Sequence, residues 1–134
     1  CLVGSEMCIR DSLKPVLDDN IGTIFGLEVP LYSNHLGVAG RCDCIAQYNG
    51  VPSIIDFKTS RYKKKKEKIS NYFAQGAAYS IMWEERTGMV VPNIVIIMDV
   101  DHEKPSVFVE HRDNWTDLLH NTIDEYRKRK MFGH

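Results

Sequence analysis

Asp56 and Lys58 lie two residues apart near the end of an apolar run in the middle of the chain. Because side chains alternate between the two faces of a strand, we expect Ile54, Asp56 and Lys58 to share one face. Ile55 and Phe57 then share the opposite face. A carboxylate and an ammonium group side by side are costly to bury unless a metal ion or a bound anion compensates them. The pair is therefore the candidate centre of a catalytic site.

A second carboxylate, that of Asp43, is predicted to lie close to Asp56 on the same face. The dipeptide Asn49-Gly50 is a strong signal for a tight hairpin, and it joins the strand of Asp43 to the strand of Asp56. Two carboxylates suit Mg²⁺ or Mn²⁺, which prefer oxygen ligands, and the main-chain carbonyl of Phe57 is a candidate third ligand. The sequence thus predicts a metal site at the end of a sheet.

Phosphodiester hydrolysis is the reaction that fits such a site. A metal ion lowers the pKa of a bound water and neutralises phosphate charge, and Lys58 would orient the attacking water or stabilise the developing negative charge. In the alternative interpretation, Asp43 and Asp56 are ordinary strand residues that form ion pairs with Arg41 and Lys58. The residue types alone leave both interpretations open.

The strands that would position these residues follow from alternation and turn signals. They are predicted over residues 24–32, 37–48, 51–59, 90–100 and 106–110, with a turn at 101–105. The first three are expected to form an antiparallel meander. The metal site would then lie between its second and third strands.

The helices follow from apolar residues at helical spacing. This spacing predicts a helix over residues 69–87, which ends before Gly88. A final helix is expected to begin at a cap formed by Asp113 or Asn114, and residues 13–19 are expected to be the tail of an upstream helix. The predicted order is (α)βββαββα, an α/β (α+β) fold in which a mixed sheet is flanked by helices.

Composition fits one domain with a core of its own. The chain has 134 residues, of which 43% are hydrophobic and 26% are charged. A net charge of -1 excludes a globally basic protein, but residues 61–68 hold six of the 17 Lys and Arg, and residues 127–130 hold four more. No apolar run of about 18 residues and no signal peptide is visible, so an intracellular, cytoplasmic protein without a membrane span is expected.

The first residues of the chain do not follow the pattern of the rest. Residues 1–12 show neither strand alternation nor a helical stripe, and they begin with Cys rather than Met. They look like translated adapter sequence, so we expect a non-native or disordered leader. Residues 13–134 are then a single domain whose upstream helix is truncated.

Cys42 and Cys44 flank Asp43 and are expected to point together to the face opposite it. Their C-x-C spacing lacks a second Cys or His pair nearby. Reduced, buried thiols are therefore expected rather than a zinc or iron–sulfur site.

Three segments, taken in order, resemble known nuclease motifs. Residues 40–43 are similar to G-x-x-D, residues 55–60 to D-x-K-T, and residues 75–79 to Q-x-x-x-Y. These are motifs of RecB-type nucleases in the PD-(D/E)xK superfamily, and their order and spacing match. The similarity runs from Ile24 to the final helix, and it extends to phage exonucleases and to mitochondrial genome maintenance exonucleases of this type.

The resemblance implies a restriction-endonuclease-like core and a metal-dependent DNA exonuclease of replication, recombination or repair, encoded by a phage. It implies Asp43 and Asp56 as metal ligands, Lys58 as the catalytic lysine, and Gln75 and Tyr79 as a helix pair beside the site. The expected cofactor is Mg²⁺ or Mn²⁺, and the expected partner is DNA that is single-stranded or has free ends. The domain of residues 13–134 would be RecB-like.

Other residues are candidates for substrate contact. Gln75 and Tyr79 share one helical stripe with Tyr72, where an amide and phenols could hold the catalytic strand or touch a nucleotide. Residues at and after the end of the catalytic strand could contact phosphates, although a basic run is also typical of a solvated loop; they are Thr59, Arg61, Lys63 and Lys64. Glu28 matches an acid on the first strand of relatives, but a charged partner for Lys58 explains it equally well.

Two family features have no counterpart in this sequence. Relatives carry a His or Glu on an upstream helix, and no matching motif is found, in line with the expected truncation. Some relatives hold an iron–sulfur cluster with four cysteines, three of them near the C-terminus. No cysteine follows Cys44, so no cluster is expected.

Two alternative functions share this fold. One is a non-catalytic nucleic-acid-binding module, and the other is an endonuclease or resolvase of the superfamily. The presence of Asp43, Asp56 and Lys58 argues against a pure binder, which needs no such set. Gln75 and Tyr79 argue against a resolvase, because that helix motif is typical of RecB-like members.

Overall fold

The computed structural model describes residues 19–60, 66–100 and 105–131. Its elements, in chain order, are β1 (Ile21–Ser33), β2 (Val38–Tyr48), β3 (Val51–Ser60), α1 (Lys66–Thr87), β4 (Asn93–Val100), β5 (Ser106–His111), a 3-10 turn (Arg112–Asn114) and α2 (Thr116–Met131). The predicted order βββαββα is confirmed. The expected leader, most of the upstream helix, and the turn at 101–104 lie outside the described residues, although Asp19 and Asn20 are helical.

The five strands form one mixed sheet in the order β1-β2-β3-β4-β5. The pairs β1–β2, β2–β3 and β4–β5 are antiparallel. The pair β3–β4 is parallel, because α1 carries the chain back to the starting end of the sheet between these two strands. Because β2 and β3 are antiparallel, the end of β3 and the start of β2 lie at the same end of the sheet.

The start of α2 differs from the prediction. Residues 112–114 form a 3-10 turn, and the side chain of His111 accepts a hydrogen bond from the backbone N–H of Asp113. The helix begins at Thr116, after this turn. The predicted caps Asp113 and Asn114 are therefore wrong, because both residues belong to the turn that His111 caps.

Two apolar clusters lie on the two faces of the sheet. The helix-side core contains residues of α1 and α2 packed on the strands, including Phe73, whose ring stacks on Trp115 with centroids 5.2 Å apart. The second core lies on the other face and contains Cys44, Ala46, Tyr48, Ile55, Val95 and Ile97. On β3, Ile54 belongs to the helix-side core, and Ile55 and Phe57 belong to the second core. The alternation predicted for β3 is confirmed.

The sheet divides between β2 and β3. Pairing of β2 with β3 ends at Cys44 and Ile55. Pairing of β1 with β2 continues to Ser33 and Val38, and pairing of β3 with β4 continues to the end of both strands. We call this division the fork, and we call residues 29–33 and 38–42 the β1–β2 arm. Asp43 and Asp56 are the first residues past the last pair, so both predicted metal ligands stand at the fork.

The helices hold the β1–β2 arm through polar contacts at its outer end. These are Ser33 Oγ to Glu85 Oε1 at 2.9 Å, Arg86 Nη1 to Pro30 O at 3.2 Å, and Arg127 Nη2 to Leu36 O at 2.8 Å. The arm is thus fixed although β2 has left β3. Such anchoring keeps the fork open at the position of the two carboxylates.

Candidate active site

Asp43 occupies the point at which β3 loses its neighbour. Its Oδ2 accepts a hydrogen bond of 3.0 Å from the backbone N–H of Phe57. In a regular hairpin that N–H would bond to a carbonyl of β2, so the Asp43 side chain takes the place of a strand partner. The N–H and C=O of one strand residue point to the same side, so the Phe57 carbonyl also faces the fork.

Asp56 is a buried carboxylate with one unsatisfied oxygen. The residue is 2% exposed, and within the described residues its Oδ2 has no hydrogen-bond partner. Lys58 Nζ lies 3.6 Å from this oxygen. Burial raises the pKa of Asp56 to about 6, the charge of Lys58 opposes this shift, and the nearby carboxylate of Asp43 adds to it. The site thus concentrates negative charge on an oxygen that lacks full compensation.

Lys58 reaches the site from the same face of β3 and is held from α1. Its Nζ donates a hydrogen bond of 3.4 Å to Gln75 Oε1 and lies 4.7 Å from the ring centroid of Tyr72. Its side chain is 23% exposed. The ammonium group is therefore fixed beside Asp56 while it remains accessible to a substrate.

Tyr79, one turn after Gln75, has a different environment. It is 5% exposed, and its ring lies where a side chain of Gly40 would be, with Cε1 2.9 Å and the phenol oxygen 3.1 Å from an added Cβ. Burial raises its pKa to about 12, with smaller contributions from the charges of Asp56, Cys42 and Asp43, whereas the backbone N–H of Arg41 lowers it. Tyr79 is thus packed against β2 at Gly40. The expectations that it holds the catalytic strand or touches a nucleotide stay predictions.

A family model, the PD-(D/E)XK nuclease superfamily, matches residues 6–131. The chain belongs to this superfamily. The match includes every described element of the fold, and with it both carboxylates at the fork.

Two solved structures share the fold of this chain. A proposed exonuclease from Eubacterium rectale has a TM-score of 0.58 and 15% identity, with 92% of this chain and 50% of that chain covered. The protein named SSO0001 has a TM-score of 0.53 and 18% identity, with 96% of this chain and 59% of that chain covered. The chain thus spans about half to three-fifths of their length. No match is found among curated proteins.

The donor set at the fork fits a divalent metal ion. Asp43 and Asp56 supply carboxylate oxygens at the fork, and Asp56 Oδ2 is buried and unsatisfied among the described residues. The Phe57 carbonyl faces the same opening. Oxygen ligands of this kind suit Mg²⁺ and Mn²⁺. The described part of the chain contains no group of three or more His, Cys, Asp or Glu side chains that could hold a metal. Within the described residues, the oxygen ligands available at the fork are two carboxylates and a carbonyl.

The prediction that Cys42 and Cys44 point to the same face is wrong. Cys42 belongs to the helix-side core and Cys44 to the second core, so they point to opposite faces of β2. Cys42 and Ile45 face the same side although they are three residues apart, because regular alternation fails at Asp43. Both thiols are buried and reduced, and burial raises both pKa values, that of Cys44 to about 11. The prediction of buried, reduced thiols is confirmed.

The remaining candidates lie around the fork. Thr59 is exposed near the end of β3, and Arg61, Lys63 and Lys64 lie outside the described residues. Glu28 is exposed on β1, across from Asp43. Among the described ion pairs, Lys58 is paired with Asp56 and not with Glu28.

Sequence reasoning did not assign a role to Gly40, the first residue of the G-x-x-D segment. The structure shows that the absence of a side chain at this position admits the ring of Tyr79. A glycine inside a strand is a known signal of close approach by another group, and this signal was present. What it could not identify is the approaching residue, which lies on α1.

The described helices include none that is long and apolar enough to cross a membrane.

Proposed function

We propose that this nuclease hydrolyses phosphodiester bonds of DNA with Mg²⁺ or Mn²⁺ as cofactor. One observation carries the proposal: Asp56 Oδ2 is buried, has no hydrogen-bond partner within the described residues, and lies 3.6 Å from Lys58 Nζ. An oxygen of this kind is costly unless a cation completes its environment. Asp43, at the same fork, adds a second carboxylate, and a cation would compensate the negative charge of both.

The residues have distinct roles in this mechanism. Asp43, Asp56 and the Phe57 carbonyl would hold the metal ion, which when bound would lower the pKa of a water molecule and neutralise phosphate charge. Lys58 donates a hydrogen bond to the attacking water or to the phosphate oxygen on which negative charge develops. Gln75 Oε1 accepts from Lys58 Nζ and so fixes the direction in which the ammonium group points.

The class of substrate follows from the family resemblance and from the surroundings of the fork. The three motifs in register support a RecB-type exonuclease of replication, recombination or repair, and we propose a phage origin and an intracellular site of action. A structural neighbour is itself a proposed exonuclease. Thr59, together with Arg61, Lys63 and Lys64, follows the catalytic strand and would contact phosphates of a single strand or a free end.

The test uses end-labelled and circular DNA, each single- and double-stranded, with and without Mg²⁺. The proposal predicts Mg²⁺-dependent loss of linear DNA while circles stay intact. Lys58→Ala should lower the cleavage rate about 10²–10³-fold, whereas Lys128→Ala, which removes an exposed lysine of α2, should retain the rate. Binding without cleavage would indicate the non-catalytic module, and cleavage of circles would indicate an endonuclease. Undiminished cleavage by Lys58→Ala would overturn the mechanism.

A further inference from the structure

Glu28 has a backbone conformation that its position does not explain. Among the described residues, two that are not glycine have positive φ, Glu28 with 48° and Asn49 with 51°. Asn49 begins the Asn49-Gly50 turn, where this conformation is required. Glu28 lies within β1 and does not belong to a turn. Its left-handed backbone is therefore a strained feature that the surrounding fold maintains.

Glu28 stands across the sheet from Asp43. Leu27 pairs with Cys44 and Val29 pairs with Cys42, so Glu28 and Asp43 occupy the facing positions between these two pairs. The strained residue is therefore the direct neighbour, on the outer strand, of the carboxylate that receives the Phe57 N–H.

Both strands lose their alternation at this same level. On β1, an added Cβ at Gly26 would lie 2.6 Å from Val29 Cγ2 and 3.9 Å from Trp83 of α1, so residues 26 and 29 both face the helices. On β2, Cys42 and Ile45 both belong to the helix-side core. Regular strands place residues three apart on opposite faces. The alternation of side chains between the two faces thus fails once on β1 and once on β2. Because both failures occur at the same level, the pairing register between β1 and β2 is unchanged across them.

We infer that the left-handed backbone at Glu28 positions Asp43, and that Glu28 acts through its main chain rather than through its carboxylate. This inference rests on the proposed function and deepens it by adding a positioning residue. With an ordinary extended φ at Glu28, β1 would alternate regularly, and β2 could keep its register only by alternating regularly too. Either Cys42 or Ile45, both fully buried, would then turn away from the helices. Asp43 would turn with them and leave the Phe57 N–H without its acceptor.

Three substitutions separate the main chain from the carboxylate. Glu28→Gly removes the carboxylate but favours the left-handed backbone. Glu28→Gln removes only the charge. Glu28→Val removes the carboxylate and, being β-branched, opposes the left-handed backbone. The readouts are amide hydrogen exchange of Phe57 in the metal-free protein, with Val95 of β4 as the control amide, and the Mg²⁺ concentration that gives half-maximal cleavage.

The inference predicts that Glu28→Gly and Glu28→Gln keep wild-type exchange at Phe57 and wild-type Mg²⁺ dependence, with a melting temperature for Glu28→Gly a few degrees higher. Glu28→Val should accelerate exchange at Phe57 at least about tenfold, and raise the half-maximal Mg²⁺ concentration about 10–100-fold. A higher half-maximal Mg²⁺ concentration in both Glu28→Gly and Glu28→Gln, with the Phe57 amide still protected from exchange, would assign the role to the carboxylate. That result would overturn the inference.

Two further outcomes are separable. Failure of Glu28→Val to fold leaves Glu28→Gly as the test, since a less stable glycine variant or faster exchange at Phe57 would equally contradict the inference. Absence of cleavage by the wild-type protein would refute the proposed function, whereas the exchange of Phe57 would still report on the role of Glu28, because it is measured without metal or DNA.

Discussion

The two strands that meet at the fork each carry one carboxylate, but they position it by different means. On β3, Asp56 follows a regular alternation in which Ile54 faces the helices and Ile55 faces the second core. On β2, Asp43 lies where alternation fails, and its carboxylate bonds to a backbone N–H of the neighbouring strand. One carboxylate is placed by its own strand, and the other by the strands on either side of it.

This difference divides the work of the site. Asp56 is buried and its Oδ2 is unsatisfied within the described residues, so in the metal-free protein it is a source of instability. Asp43 satisfies a backbone group at the fork and so contributes stability without metal. The two residues should therefore behave alike in catalysis and oppositely in folding.

The largest expected effect is on catalysis, in which Asp43 and Asp56 should behave alike. Asp43→Asn and Asp56→Asn should each lower Mg²⁺-dependent cleavage at least about 10³-fold, because each removes one of the two negative charges that would hold the metal in the proposed mechanism. Asp124→Asn, on the exposed face of α2, is the matched control and should cleave at the wild-type rate. A variant at either fork position that retains more than a tenth of the activity would remove that residue from the metal site.

The next effect separates the two residues through the pH dependence of stability without metal. Because the pKa of Asp56 is raised from 3.8 to about 6 in the folded protein, the folded state binds the proton more tightly than the unfolded state. Its stabilising contribution is fully present below about pH 4 and is lost as the pH rises through about 6. The free energy of unfolding should fall by roughly 2–3 kcal/mol across this range.

Urea unfolding at pH 4.5 and 7.5 measures this loss, and Asp56→Asn should lack it while Asp124→Asn retains it. Mg²⁺ added at pH 7.5 should restore stability to the wild-type protein and leave Asp56→Asn unchanged, because ligand binding to the folded state stabilises it. If wild type and Asp56→Asn show the same dependence on pH, then the buried carboxylate is not the group that titrates.

The contrast between the strands also shows how far the sequence predicts this site. On β3, alternation, the hairpin signal of Asn49-Gly50 and the D-x-K pattern are local, and they placed Asp56 and Lys58 on one face. Element order was predictable for the same reason, since strands and helices have their own periods. The positions of residues that depend on one strand alone could thus be predicted from the sequence.

On β2, the prediction that Cys42 and Cys44 share a face was wrong because it assumed a regular pleat. The break in that pleat depends on the conformation of Glu28 and on the departure of β2 from β3. Both are properties of strand pairs rather than of one segment. The fit between Gly40 and Tyr79 was hidden likewise, because the glycine is on β2 and the ring comes from α1.

The smallest expected effect tests Asp43 as a structural acceptor. Asp43→Ala leaves the Phe57 N–H without an acceptor, whereas Asp43→Asn keeps a side-chain oxygen at that position. At pH 7.5 without metal, the free energy of unfolding of Asp43→Ala should be about 1–2 kcal/mol lower than that of Asp43→Asn, since an unsatisfied backbone group costs this much. The measurement is urea unfolding of both variants under one condition, which cancels the loss of the Asp43 charge. Equal stability of the two would mean that water replaces the acceptor, and that β2 holds its place at the fork through the β1–β2 arm alone.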